Sequence, residues 1–350
     1  MGTIKALAQV KALARRCAAE LYALSPGYLN CLQGKAVILT YHRVVSNKEL
    51  ESQHIQPGMY VTAETFAMHM QFVKQHFSVI PFAELLRLWS EQQWSLDQRY
   101  CVVTFDDGWL DNYVHALPVL RRFAVPATVF LPTTFVGTAK WFWSEQIVWL
   151  CRHPVCHSED ERRRVVGILK KKHTWLVSVE ASMCAGDTEA IIEGCKALQQ
   201  DQIDTFIAEW AAQLGVVLPG ERQVINWGEA QEMSAAGISF GSHSATHRIM
   251  THLNATELAQ EISGSWSMLR EKPIATVPVF CYPNGNWSAE VEQLVEAAGY
   301  AAATSAEFGY EGRVPSCRFG LKRINIHDDV TNTPKLFAFH LAGYNSVGMR

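Results

Sequence analysis

No apolar run in this chain approaches the roughly 18 residues that would carry a helix across a bilayer, so a helical membrane span is excluded. Charge of one sign is lacking as well. Lys and Arg number 31 against 34 Asp and Glu, for a net charge of -3, and both signs are spread along the chain. That balance argues against nucleic acid or a strongly acidic polymer as the partner. The nine cysteines form no C-x-x-C pair and no short-spaced framework, and their number is odd, so a reducing compartment is expected. Lys5, Lys11, Arg15, Arg16 and Glu20 interrupt any apolar stretch that could serve as a signal-peptide core. The expectation is therefore a cytoplasmic protein.

What the chain does have is length and apolar content. With 350 residues, 48% of them hydrophobic, it can bury one large core or a core with a subdomain. Residues 1–34 are expected to be an N-terminal amphipathic helical segment, because Ile4, Leu7, Val10, Ala14, Cys17 and Leu21 recur at helical spacing. The stripe is alanine-rich and short of large anchors, which favours packing on the domain or on a second subunit over contact with a membrane surface.

From residue 36 onward, short apolar runs alternate with segments of helical period. Strands are expected at Ala36–Thr40, Tyr100–Phe105, Ala127–Leu131, Ile238–Phe240, Val279–Tyr282, Ala301–Thr304 and Arg323–Ile326. Phe66, Met70, Val73 and Phe77 mark one helix face, Asn254 with Glu257 reads as a capping box, and Gly299 closes a helix begun near Ser288. The class is α/β, and on pattern alone both a barrel and a doubly wound sheet fit. Residues from about Trp141 to Gln223 break the rhythm and read as a helical insertion. Its basic runs, Arg162 to Arg164 and Lys170 to Lys172, read as a solvated helix face, with an anion grip as the alternative. Trp141, Phe142, Trp143 and Trp149 at its start read as core, with stacking on sugar faces as the alternative.

Two polar clusters follow strands. Thr104-Phe105-Asp106-Asp107-Gly108 places adjacent carboxylates at a strand end, although D-D-G alone is a turn sequence. Phe240-Gly241-Ser242-His243-Ser244-Ala245-Thr246-His247 places two imidazoles four residues apart, able to face one point from a helical turn or a tight loop. One carboxylate and two imidazoles are a common ligand set for a catalytic divalent metal, because they leave coordination positions open. Two adjacent acids cannot both reach the same cation from a strand end, so one can bind metal and the other can take a proton from water.

In order, T-F-D-D-G, H-S-x-x-H and Phe280-Cys281-Tyr282-Pro283-Asn284-Gly285 resemble the first three motifs of the polysaccharide deacetylases related to the nodulation chitooligosaccharide deacetylases. The matching region runs from about residue 36 to 327, apart from the insertion. The resemblance implies an irregular (β/α)7 TIM-like barrel over residues 35–350 carrying the helical insertion at about 141–223. It also implies a hydrolase that removes N-acetyl groups from an N-acetylated saccharide, with Asp106 as base and Asp107, His243 and His247 on a divalent cation. Zn2+ is the first expectation, with Co2+ or Ni2+ as alternatives. A backbone N–H near Tyr282, with Asn284, is expected to face the oxyanion. The Arg that opens the third motif in many members is missing here. Arg323 is a candidate replacement, although a structural ion pair is the preferred role for it. Leu39-Thr40-Tyr41-His42-Arg43-Val44 resembles the first strand of exopolysaccharide deacetylases acting on poly-N-acetylglucosamine, which implies His42 as general acid, with His327 as second choice.

Three rivals remain. The first is a serine hydrolase built on Gly237-Ile238-Ser239-Phe240-Gly241 with Asp328 and His340. The second is a carbohydrate-binding or assembly protein without catalysis. The third is an O-acetyl esterase or sugar deformylase using the same metal chemistry. A nucleotide-linked or lipid-linked saccharide is the substrate that an intracellular location would suggest.

Overall fold

The computed structural model describes residues 2–52 and 55–344, with side chains for all of these except 2–9 and 52. Seven parallel strands form the centre: β1 Ala36–Tyr41, β2 Tyr100–Phe105, β3 Ala127–Leu131, β4 Ile238–Ser242, β5 Thr276–Cys281, β6 Ala302–Phe308 and β7 Leu321–Asn325. Each pairs with the next, and β7 pairs back onto β1, which closes the barrel. Closure decides between the two architectures that the pattern left open. Each expected strand is present, with shifted ends: β5 starts at Thr276 rather than Val279, and β7 at Leu321 rather than Arg323. Register shifts between Phe240 and Ser242 and between Leu321 and Arg323 make the barrel irregular. Too short to leave a periodic signal, the parallel pair Arg43–Val45 with Tyr60–Thr62 and the edge strand Ser78–Val79 were not anticipated.

Alternation along the strands separates two sets of side chains. Ile38, Val102, Phe130, Val279 and Leu321, from five strands, cluster together and fill the lumen, with Phe82, Leu85 and Trp94 in the same cluster. The other parity, including Leu39, Val103, Val129 and Phe240, packs outward against helices such as Ala63–His76, whose Phe66, Met70 and Val73 are fully buried as expected. Following the lumen parity upward from Val102 through Thr104 gives Asp106, and from Leu321 it gives Arg323. Two charged side chains from opposite ends of the chain are thereby aimed into the mouth of one barrel. The capping box at Asn254 and Glu257 and the helix begun after Ser288 also form.

The N-terminal helix Gly2–Ala23 packs on the C-terminal helix Pro334–Leu341, with a Lys335–Glu20 ion pair between them. Its contact face corrects the sequence reading. Val10, Ala14, Cys17 and Leu21 face solvent, with Leu21 70% exposed, while Ala19 is buried and Tyr22 sits against Tyr28 and Phe339. A short Ala lets the helices approach and an aromatic ring fills the remaining space. Ile4 and Leu7 of the expected stripe lie outside the described side chains. Among the described residues no helix is long and apolar enough to cross a membrane.

The β3–β4 connection contains the helices Trp143–Cys151, Glu159–Leu169, Glu180–Ala185, Thr188–Cys195 and Gln200–Leu214. They pack on a core of their own around Ile147, Leu150, Leu176, Ile191, Phe206 and Trp210. The basic runs are satisfied locally. Arg163 pairs with Glu159, Arg164 with Glu161, Lys170 with Glu180 and Lys172 with Glu209, as a solvated face requires.

Candidate active site

Asp106 and Asp107 both line the cavity at the end of β2, where Asp107 adopts a left-handed backbone, φ 71°, followed by Gly108 at φ 64°. A side chain at Gly108 would be strained by the positive φ, and its Cβ would lie 2.3 Å from Leu131 Cδ2 unless the Leu131 side chain moved. Among the described residues six non-glycine positions have positive φ, and four of them, Asp107, Ser244, His247 and Asn284, lie in or beside one cavity. Backbone held in so sparsely populated a region needs surrounding structure to hold it, and such residues cluster at functional sites.

The histidine motif is a loop rather than a helical turn. His243 Nδ1 donates to the Cys281 carbonyl (2.8 Å), which leaves Nε2 free to face the cavity. The His247 amide donates to Ser244 Oγ (2.9 Å), and Glu261 accepts from the amides of Ala245 and Thr246 (2.8 Å each). His243 Nε2 and His247 Nε2 then lie 3.5 and 3.1 Å from Asp107 Oδ1. The other Asp107 oxygen accepts from Trp109 Nε1 at 3.0 Å.

Asp107 Oδ1 is buried and receives no hydrogen bond. Together with the two Nε2 atoms it forms a group of three ligand atoms all within 4.8 Å of one another. A buried carboxylate oxygen with no donor is costly unless something positive meets it, so the donor set fits a divalent cation. Burial works against ionisation of Asp107, but the adjacent His247 outweighs it and holds the carboxyl below its ordinary range.

Asp106 is held differently. Arg323 grips it with two parallel hydrogen bonds of 2.8 Å, both side chains being 5% exposed. Burial pushes the Asp106 carboxyl up and Arg323 pulls it further down, so it is a carboxylate at neutral pH. The ion pair preferred for Arg323 therefore forms, and its partner is the carboxylate that a replacement Arg would hold. That partner is the candidate base, and Arg323 approaches it from β7.

His42, just past β1, places Nε2 4.0 Å from Asp106 Oδ2, while its Nδ1 is buried without a partner. Burial lowers its pKa, so the imidazole is neutral at pH 7. His327 is turned away: it pairs with Asp329 at 3.2 Å and does not line the cavity. Tyr282 and Asn284 do line it, together with Phe142 and Trp143. The Tyr282 amide, however, already donates to the Thr304 carbonyl (3.2 Å), which removes it as the free oxyanion donor expected at that position. Phe142 is buried, stacked on Phe135 and edge-on to His247, so it is both core and cavity wall, and Trp143 lines the same cavity. The serine-hydrolase rival has no geometry behind it, since Ser239 sits inside β4 bonded to Thr128, His340 bonds the Asn325 carbonyl and Asp328 accepts from Thr62.

Sequence reasoning missed Trp109 and Glu261 entirely. Trp109 stood two residues beyond Asp107, near enough to have been suspected; nothing in spacing marks Glu261.

Residues 95–303 match the family model of the polysaccharide deacetylases, more than half of the chain. The chain belongs to that family. His42 and Arg323 both fall outside the stretch that this polysaccharide deacetylase model covers. YxkH of Bacillus subtilis, named for the same family, is 28% identical over 123 residues, 35% of this chain and 40% of that protein. The match thus spans less than half the length of that relative. Among solved structures, the Streptococcus pyogenes deacetylase PplD in complex with acetate has 15% identity and a TM-score of 0.56, covering 88% of this chain and 98% of that one. IcaB from Ammonifex degensii has 16% identity and a TM-score of 0.54, with 88% and 97% covered. A de-N-acetylase from Aggregatibacter actinomycetemcomitans has 13% identity and a TM-score of 0.52, with 83% and 95% covered. At these identities the likeness is one of fold.

Proposed function

We propose that this polysaccharide deacetylase family member is a metal-dependent de-N-acetylase, hydrolysing the acetamide of an N-acetylated saccharide to acetate and a free sugar amine. The observation that carries this is the unpartnered Asp107 Oδ1 facing two imidazole nitrogens, beside a second carboxylate held ionised by Arg323. Asp107, His243 and His247 would hold the cation, with Zn2+ as first choice. Bound there, it supplies Lewis acidity to the acetyl carbonyl and to the attacking water.

Asp106 takes the proton of that water, and Arg323 fixes which way its carboxylate faces. His42, its pKa lowered by burial, takes up its proton during the reaction. The proton it delivers to the leaving nitrogen is the one Asp106 has accepted, relayed through the reacting groups between them, since their 4.0 Å separation is longer than a hydrogen bond. Tyr282 and Asn284 form the wall against which the acetamide is held. The structural neighbour described as a de-N-acetylase supports the choice of bond.

The test is acetate release from N-acetylglucosamine oligomers by protein stripped of metal and then given Zn2+, Co2+ or Ni2+, with Asp106→Asn and His243→Ala alongside. Restored activity that is absent from both variants is the expected result. Failure of the chain to bind metal would overturn the reading, and release only from O-acetylated sugars would move the reaction to an ester.

A further inference from the structure

Beside the catalytic cavity of about 340 Å³ lies a second, larger one of about 610 Å³, between the barrel mouth and the helical β3–β4 connection. One residue, Glu145, lines both. It belongs to the helix Trp143–Cys151, and the spacings of four and three residues put Glu145, Trp149 and Arg152 on one face of that element, all three lining the second cavity.

These three side chains share a second property. Among the described residues, neither the Glu145 carboxylate, nor the Trp149 indole N–H, nor the Arg152 guanidinium makes a hydrogen bond or ion pair. Their neighbours are committed. Trp141 donates its indole N–H to the Glu221 carbonyl (2.8 Å), Arg222 is held by both oxygens of Glu229 (2.7 Å each), and Arg43 pairs with Asp111 (2.7 Å) while lying 4.7 Å over the Trp109 ring. The cavity therefore has a fixed frame and a row of three groups with hydrogen-bonding capacity to spare: an acceptor, an indole N–H on a half-buried ring that packs on the helical core and beside His153, and a multiple donor.

Such a set suits a sugar. A pyranose presents an apolar C–H face to an aromatic ring and hydroxyls at its rim that both donate and accept. A polyanion is a poorer match, because the wall carries three arginines and four acidic residues, and two of those arginines are already neutralised. We infer that the second cavity is a saccharide subsite, in which a neutral sugar chain leaving the catalytic cavity past Glu145 stacks on Trp149 and bonds through its hydroxyls to Glu145 and Arg152. This rests on the proposed deacetylase reading for the identity of the sugar.

The experiment compares N-acetylglucosamine disaccharide with pentasaccharide, in β-1,4- and β-1,6-linked forms, using the metal-loaded full chain and its Trp149→Ala, Trp149→Phe and Arg152→Gln variants. In the unmodified protein KM should be lower for the pentasaccharide of at least one linkage. Trp149→Ala should raise that KM by about fivefold to tenfold, leave kcat unchanged and leave the disaccharide untouched, the loss expected when one aromatic face is removed. Trp149→Phe, which retains a ring, should restore most of the affinity, separating stacking from damage to the fold. Equal KM for both lengths in both series, or a Trp149→Ala loss that is the same for both, overturns the subsite. Calorimetric binding of the same oligomers to metal-free protein separates the two claims. Length-dependent affinity that Trp149→Ala abolishes upholds the subsite even where no acetate is released, and length-independent affinity overturns it even where acetate is.

Discussion

Replacing Arg323 by Met gives the sharpest test of how the site is built. The guanidinium and the Asp106 carboxylate are each 5% exposed and joined by two 2.8 Å hydrogen bonds. Removing one partner leaves a buried charge alone, which costs about 3 to 5 kcal/mol, a large share of the roughly 5 to 15 kcal/mol that stabilises a typical fold. The loss has a defined pH dependence. In the native protein the Asp106 pKa is depressed, so its contribution is present above the unfolded carboxyl value of about 3.9 and is lost as pH falls through the folded value. Without Arg323 burial dominates and the folded pKa rises above that of the unfolded chain. Ionising Asp106 then opposes folding, so the difference between variant and parent is greatest near neutrality and narrows as pH approaches about 4. The acid limb of kcat/KM should move upward at the same time, since the base is available only when ionised. Urea unfolding from pH 4 to pH 8, with acetate release over the same range, measures both effects. The double variant Asp106→Asn/Arg323→Met should recover most of the stability and none of the activity. A loss below about 1 kcal/mol together with an unmoved acid limb would refute the argument, because a buried pair that tunes the base must show in at least one of them.

Three further outcomes follow from the geometry. Trp109→Phe removes the donor to Asp107 Oδ2 and should weaken metal affinity by about 10-fold to 100-fold in a competitive chelator titration, with the fold intact. His42→Asn should lower kcat by about 10²-fold to 10⁴-fold while elemental analysis finds the same metal content as in the parent; parent-like kcat would transfer the proton-donating role elsewhere. Gly241→Ala would set a Cβ 2.5 Å from the Phe130 ring and 2.8 Å from the Val279 carbonyl, so a loss of about 1 to 3 kcal/mol is expected in urea unfolding.

Much of this molecule is visible in its sequence because the strands are short, apolar and bounded by polar clusters. The Asp pair and the His pair fall at strand ends, where a parallel barrel gathers its reactive groups. What escaped notice did so for physical reasons. The Arg323–Asp106 contact joins residues 217 positions apart, and its logic is one of strand parity, which becomes readable only once β7 is seen to begin at Leu321. The left-handed backbone at Asp107, Ser244, His247 and Asn284 leaves no composition signal, because none of these is glycine. The N-terminal stripe was misread for the opposite reason. Periodicity identifies an apolar face but does not say that the face is covered, and here the fixed contacts are made by Ala19 and Tyr22.

β1 and β7 meet where the barrel closes, and the groups that set the character of Asp106 stand on either side of that seam, His42 past the one strand and Arg323 in the other. The guanidinium that holds Asp106 comes with the last strand of the barrel, so a chain cut before Leu321 would carry all three proposed cation ligands and a candidate base without its Arg323 partner. Under the proposed reaction, closure of the barrel and the setting of the candidate base therefore depend on the same contact.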